Sequence, residues 1–143
     1  MRKDVVISIK GIYAGEEDTD SLELVTQGQF CRRKDSYYIR YRESAATGYE
    51  NCVTTLKVDG SDCVTISRTG AAQTSLIIEK NRRHLCHYNT GVGAFTVGVF
   101  SNSIESDLTD EGGRLHFQYT LDVNASFASE NDVEIRVRAC KKA

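Results

Sequence analysis

The strictest constraint on this chain is a run near its C-terminal third. Leu115, Phe117, Tyr119, Leu121 and Val123 occupy every second position, with His116, Gln118, Thr120 and Asp122 between them. A period of two describes a β-strand with one face buried and the other wet. The same alternation recurs through Val5, Ile7 and Ile9, through Leu22 and Leu24, through Tyr37, Ile39 and Tyr41, and through Cys52, Thr54, Leu56 and Val58. It continues through Val64 and Ile66, Leu76 and Ile78, Phe95, Val97 and Val99, and finally Val133, Ile135 and Val137. Residues 103–109 alternate more weakly as a separate run, Gly28 is a candidate bulge, and 125–131 reads as a polar loop.

Turn signals punctuate these runs: Lys34-Asp35-Ser36, Thr47-Gly48, Asp59-Gly60, Asn81-Arg82-Arg83 and Asp110-Glu111-Gly112-Gly113. The chain has no proline, which suits a sheet whose backbone donors are committed to ladders. About ten short strands at hairpin spacing predict an all-β fold. Its expected form is a single antiparallel up-and-down barrel of about 8–10 strands, since closure removes exposed edges. A chain of 143 residues fits one domain, 1–143, able to bury roughly 70% of its unfolded surface.

The net charge of −2 exerts no global pull on nucleic acid or an anionic membrane. No run approaches the roughly 20 apolar residues of a membrane helix. The first ten residues carry charge but no apolar signal core. Cys31, Cys52, Cys63, Cys86 and Cys140 make an odd count without a CxxC pair, which disfavours a secreted disulfide framework. The expectation is a cytoplasmic protein with reduced thiols.

Side-chain direction supplies the candidate site. Glu43 shares parity with Ile39 and Tyr41, and Arg68 shares parity with Val64 and Ile66. If the apolar faces turn inward, both charges turn inward too. A buried lone charge costs several kcal/mol, on the order of its desolvation penalty, so each needs company or water. Tyr41 and Tyr119 have the same inward parity and offer hydroxyls. The resulting expectation is a non-enzymatic barrel with a pocket lined by Tyr41, Glu43, Arg68 and Tyr119. A small anionic or amphipathic ligand would meet Arg68, with Glu43 orienting the guanidinium. Thr55 and Lys57 are second-rank candidates because their parity opposes Leu56, and Tyr88 joins if its run is shifted by a bulge. The competing reading is a structural ion pair closing a solid barrel.

Other chemistries find less support. His84 and His87 have opposite parity, so no metal site is expected, and no cofactor. No serine sits in a nucleophile elbow. An enzyme would have to be built on Glu43 as acid or base. Arg32-Arg33-Lys34, Arg82-Arg83 and Arg136, Arg138, Lys141 and Lys142 could form a basic patch, with Tyr38, Tyr49 and Phe100 as exposed aromatics. The acidic overall balance weighs against nucleic acid; the alternative to the pocket is nonetheless a protein- or RNA-interaction module using the outer surface, as a monomer or a homodimer, with Glu43 and Arg68 a structural pair.

Several motifs resemble the YwiB-like family, small bacterial proteins of uncharacterised function. They are Tyr37-Tyr38-x-x-Tyr41-x-Glu43 with Thr47-Gly48, Thr54-Thr55-x-Lys57, Arg68-x-Gly70, Tyr88-x-Thr90, and Gly112-Gly113-x-Leu115 with Tyr119-x-Leu121. They span nearly the whole chain in order. One departure is Gly91-Val92, where many relatives would carry proline. The resemblance implies a calycin-like barrel, as in lipocalins, and brings no catalytic residue, cofactor or substrate.

Overall fold

The computed structural model describes residues 3–15, 17–43, 51–70, 73–89, 94–123 and 126–140. Ten antiparallel strands carry nearly all of them: β1 (Lys3–Ala14), β2 (Thr19–Arg33), β3 (Ser36–Arg42), β4 (Cys52–Asp59), β5 (Cys63–Gly70), β6 (Gln73–Glu79), β7 (Arg83–Asn89), β8 (Ala94–Thr109), β9 (Gly112–Val123) and β10 (Ser126–Ala139). Each strand pairs with its sequence neighbours, and β10 returns to β1 to close the barrel. The up-and-down meander expected from the alternation is therefore the observed fold.

Three local expectations are corrected. Gly28 is not a bulge, since its register with Val5 on one side and Tyr41 on the other runs unbroken. It is glycine because the chain passes too close for a side chain: a Cβ there would lie 2.3 Å from the Arg40 carbonyl oxygen. The runs at 94–100 and 103–109 are one strand, β8, bent by a register shift between Phe100 and Ser103. The supposed polar loop at 125–131 belongs largely to β10, which pairs with β9 across a shift between Phe127 and Ser129. Backbone pairing on both flanks outweighs the weak intrinsic strand preference of Ser, Asn and Asp there.

The apolar face of the sheet is the inner one. Ile7, Ile39, Val58, Val64, Ile78 and Leu115 are all fully buried and pack one end of the barrel solid. That end carries the short turns at Lys34-Asp35, Gly60 to Asp62, Lys80 to Arg82 and Asp110-Glu111. Outside, the exposed large apolar side chains among the described residues are Ile12, Val25, Leu85 and Phe100, on four different strands. A membrane-spanning barrel shows instead a continuous outward apolar band. No helix among the described residues is long and apolar enough to cross a membrane.

Candidate functional site

The other end of the barrel is hollow. A cavity of about 320 Å³ lies inside it, floored by Leu56, Ile66, Leu76, Phe117 and Ile135 and rimmed by the half-buried Leu22, Leu24 and Leu121. Polar side chains enter it from two sides: Tyr41, Glu43, Thr54 and Arg68 from β3, β4 and β5, and Tyr13, Tyr119 and Asn131 from β1, β9 and β10. In the strand order, β9 and β10 stand across the lumen from β4 and β5.

Register explains the first group. Tyr41 on β3 faces Thr54 on β4, Thr54 faces Arg68 on β5, and Arg68 faces Thr74 on β6. Cross-strand neighbours on one face have Cβ atoms roughly 5 Å apart, so this row is one polar band on the inner wall. Glu43 lies one residue beyond β3, yet its amide donates to the Cys52 carbonyl oxygen at 2.9 Å, which extends the pairing and keeps the side chain inward. The residue is only 6% exposed, and its carboxylate accepts a hydrogen bond from Thr54 Oγ1 at 3.1 Å. The Tyr41 hydroxyl also bonds to Glu43. Two hydroxyl donors thus offset part of the cost of a buried carboxylate.

Arg68 is held among these groups, close enough to Tyr41 to act on its ionisation, although its buried Nε donates to no described atom. Tyr41 shows what the environment does. Burial first, then the negative charge of Glu43 and the hydrogen bond to it, push the phenol well above the usual 10.0, while Arg68 pulls modestly the other way. The sign of the pH dependence follows. An unfolded chain releases this proton near pH 10 and the folded chain keeps it, so the group's contribution is intact below pH 10 and falls as pH rises beyond it. Stability measured by urea unfolding is expected to drop by up to about 1.4 kcal/mol per pH unit from this one group above pH 10. Tyr41→Phe should remove that increment of slope; an unchanged alkaline slope would show that Tyr41 ionises as freely folded as unfolded.

Of the residues expected from the sequence, Tyr41, Glu43, Arg68 and Tyr119 all border the cavity. Thr55 and Lys57 do not. They project from the outer face of β4, Lys57 exposed and Thr55 in a surface groove with Tyr38 and Arg40, as a strict period of two requires once Thr54 and Leu56 point inward. Tyr88 pairs with Thr74 and Phe95 through its backbone, and its side chain lies outside the described residues, as do Gly91 and Val92.

Thr54, Asn131 and Tyr13 were missed. Thr54 shares the inward parity of Leu56 and Val58 but carries no charge to single it out in the sequence. Asn131, 5% exposed, was assigned to a loop; it donates to Ser129 Oγ at 3.1 Å and to the Tyr119 carbonyl oxygen at 3.4 Å. Tyr13 folds back along β1 over Gly11, where an added Cβ would sit 2.4 Å from the phenolic oxygen. Gly11 is therefore the notch that lets this ring lie in the mouth; parity puts 11 and 13 on one face, and the fold turns the ring back over the glycine. His84 bonds to Glu79 at 2.9 Å and His116 to Asp132 at 2.8 Å. No group of three or more His, Cys, Asp or Glu side chains placed for a metal ion is found among the described residues.

A closed ten-stranded antiparallel meander with a solid end and a polar-walled hollow end defines a class: a small β-barrel protein. Within that class, residues 7–135 match the family described as Domain of unknown function (DUF1934), and the chain belongs to that family. It is 23% identical over 119 residues to the uncharacterized beta-barrel protein YwiB of Bacillus subtilis (strain 168), covering 83% of this chain and 82% of that one. The crystal structure of ywiB protein from Bacillus subtilis superposes with a TM-score of 0.84 at 19% identity, over 98% of this chain and 94% of that chain. That likeness establishes the shared barrel.

Proposed function

We propose that this barrel binds a small amphipathic, anionic molecule in its hollow end, without catalysing a reaction. One observation carries the reading: the lumen is packed solid at one end and left open over about 320 Å³ at the other, and the open part holds a buried polar row. A volume of this size is at the lower bound of ligand sites and suits a compact molecule. A chain selected only for stability would fill such a space, because lost packing costs on the order of 1 kcal/mol per missing methyl-sized volume. The apolar floor from Leu56 to Phe117 would take the ligand's body. Arg68 would meet its carboxylate or phosphate, with Glu43 held in place by Thr54 and Tyr41 to fix the guanidinium. Five free thiols among the described residues support a reducing, cytoplasmic setting.

The test uses the intact chain. Native mass spectrometry of the freshly purified protein is expected to show a bound small molecule that denaturation releases. Titration with medium-chain carboxylates should give saturable binding that weakens at least tenfold in Arg68→Met while melting remains cooperative. A second variant, Ile66→Phe, fills the lumen without touching the charges and should abolish binding. If neither variant alters carboxylate binding, or none occurs, the cavity is not a ligand site.

A further inference from the structure

The basic clusters that stand out in the sequence are only partly spent in the fold, since Arg33, Lys34 and Arg138 form no salt bridge with a described residue. Arg32 pairs with Asp110, Arg82 with Glu79, Arg83 with Asp122, and both Arg114 and Arg136 with Glu134. Cations outside those clusters also lack such a pair among the described residues. Arg40 and Arg42 on β3 and Lys57 on β4 are exposed, and none forms a salt bridge with a described residue. All three share the outer face of the barrel wall. Register sets Arg40 between Gln29 and Thr55, and the half-buried Tyr38 between Cys31 and Lys57. Arg42 faces Val53, which faces Thr69. Arg40 and Tyr38 line a surface groove of about 350 Å³ together with Arg33, Gln29, Thr55 and Thr69; its lining holds no carboxylate, and Arg42 and Lys57 stand beside it, paired with the lining residues Val53 and Tyr38. The acids of this face, Asp4, Glu23, Asp59 and Glu79, stand at its margins; Glu23 pairs with Lys10 and Asp59 is engaged by Ser36.

We infer that the groove over β2–β5 is a docking surface for single-stranded RNA. Charge complementarity argues for a polyanion, because Arg33 and Arg40 line the groove and Arg42 and Lys57 stand at register positions beside it, a local positive field on a chain whose net charge is −2. Tyr38 gives a base a ring to stack on beside those cations, the pairing of platform and charge that unstructured strands require. Thr55, Thr69 and Gln29 offer hydroxyl and amide groups to ribose 2′-hydroxyls and phosphate oxygens. A duplex presents its bases stacked inward and gives Tyr38 nothing to hold. This site is on the opposite side of the wall from the lumen, so its occupancy does not depend on the cavity.

The experiment is fluorescence anisotropy with a labelled single-stranded RNA of about ten nucleotides, titrated at several salt concentrations. Saturable binding is expected, with log affinity falling against log salt at a slope of about −2, as for three phosphate contacts. The exposed pair Arg40→Gln/Arg42→Gln should weaken binding about tenfold and flatten the slope to about −0.7. Tyr38→Leu should cost about tenfold with the slope unchanged, since stacking releases no counterions. An Arg68→Met control should bind RNA as wild type does, which separates this site from the lumen. The inference fails if no binding is seen at low salt, if a duplex of the same length binds equally, if the Arg40/Arg42 pair has no effect, or if the protein binds vesicles of anionic lipid but not RNA.

Discussion

Replacing Glu43 by leucine is expected to cost about 3 kcal/mol of folding stability, and replacing Arg68 by methionine in the same chain is expected to restore most of it. The first substitution removes the acceptor of the hydroxyls of Thr54 and Tyr41, residues that are 1% and 8% exposed. Each orphaned buried donor costs about 1–3 kcal/mol, and the Arg68 charge loses the carboxylate nearby that offsets it. Removing Arg68 alone leaves a carboxylate in a nearly dry wall. Removing both leaves two hydroxyls that can turn toward the cavity, and replaces two desolvated charges with apolar atoms. Measured as a double-mutant cycle by urea unfolding, the coupling should be at least about 2 kcal/mol. Strict additivity would mean that the two charges are independent and that no shared polar cluster exists.

The second large effect concerns the boundary between the solid and hollow ends. Phe117 is fully buried, floors the cavity and stacks with Tyr119 at a ring separation of 5.9 Å. Phe117→Ala is expected to cost about 3–5 kcal/mol, since it removes a large side chain whose outer contacts are the packed core. The same truncation at Leu121, half-buried on the same strand and face, should cost less than about 1.5 kcal/mol because one side of it already borders empty space. Phe117→Ala should also bind a small apolar dye more tightly than wild type, having enlarged the lumen. Equal costs at 117 and 121 would show that the upper lumen is as tightly filled as the lower.

The two proposals place different ligands on opposite sides of one wall, and β3 serves both. Tyr41 and Glu43 point into the lumen while Tyr38, Arg40 and Arg42 point out. That division is a direct reading of alternate side-chain direction, and it was available before any coordinates. Basic clustering along the sequence was a poorer guide. Arg82, Arg83 and Arg136 stand near other cations in sequence yet meet carboxylates in the fold, whereas Lys57, fifteen residues beyond Arg42, is brought to the face of Arg40 and Arg42 by register.

Period two and turn chemistry, both local, were enough by themselves to establish the β class, the hairpin order, closure, and the inward direction of Tyr41, Glu43, Arg68 and Tyr119. They also held the reason Thr55 and Lys57 face outward. Tertiary structure alone decided which residues stand beside one another around the wall, because register and shear depend on pairing between distant strands. It brought Thr54 between Glu43 and Arg68, carried Asn131 inward by joining 126–131 to β10, and laid Tyr13 over Gly11. It also decided that the lumen is filled at one end only: the volume enclosed by ten tilted strands is a property of the closed sheet, and no single strand contains it.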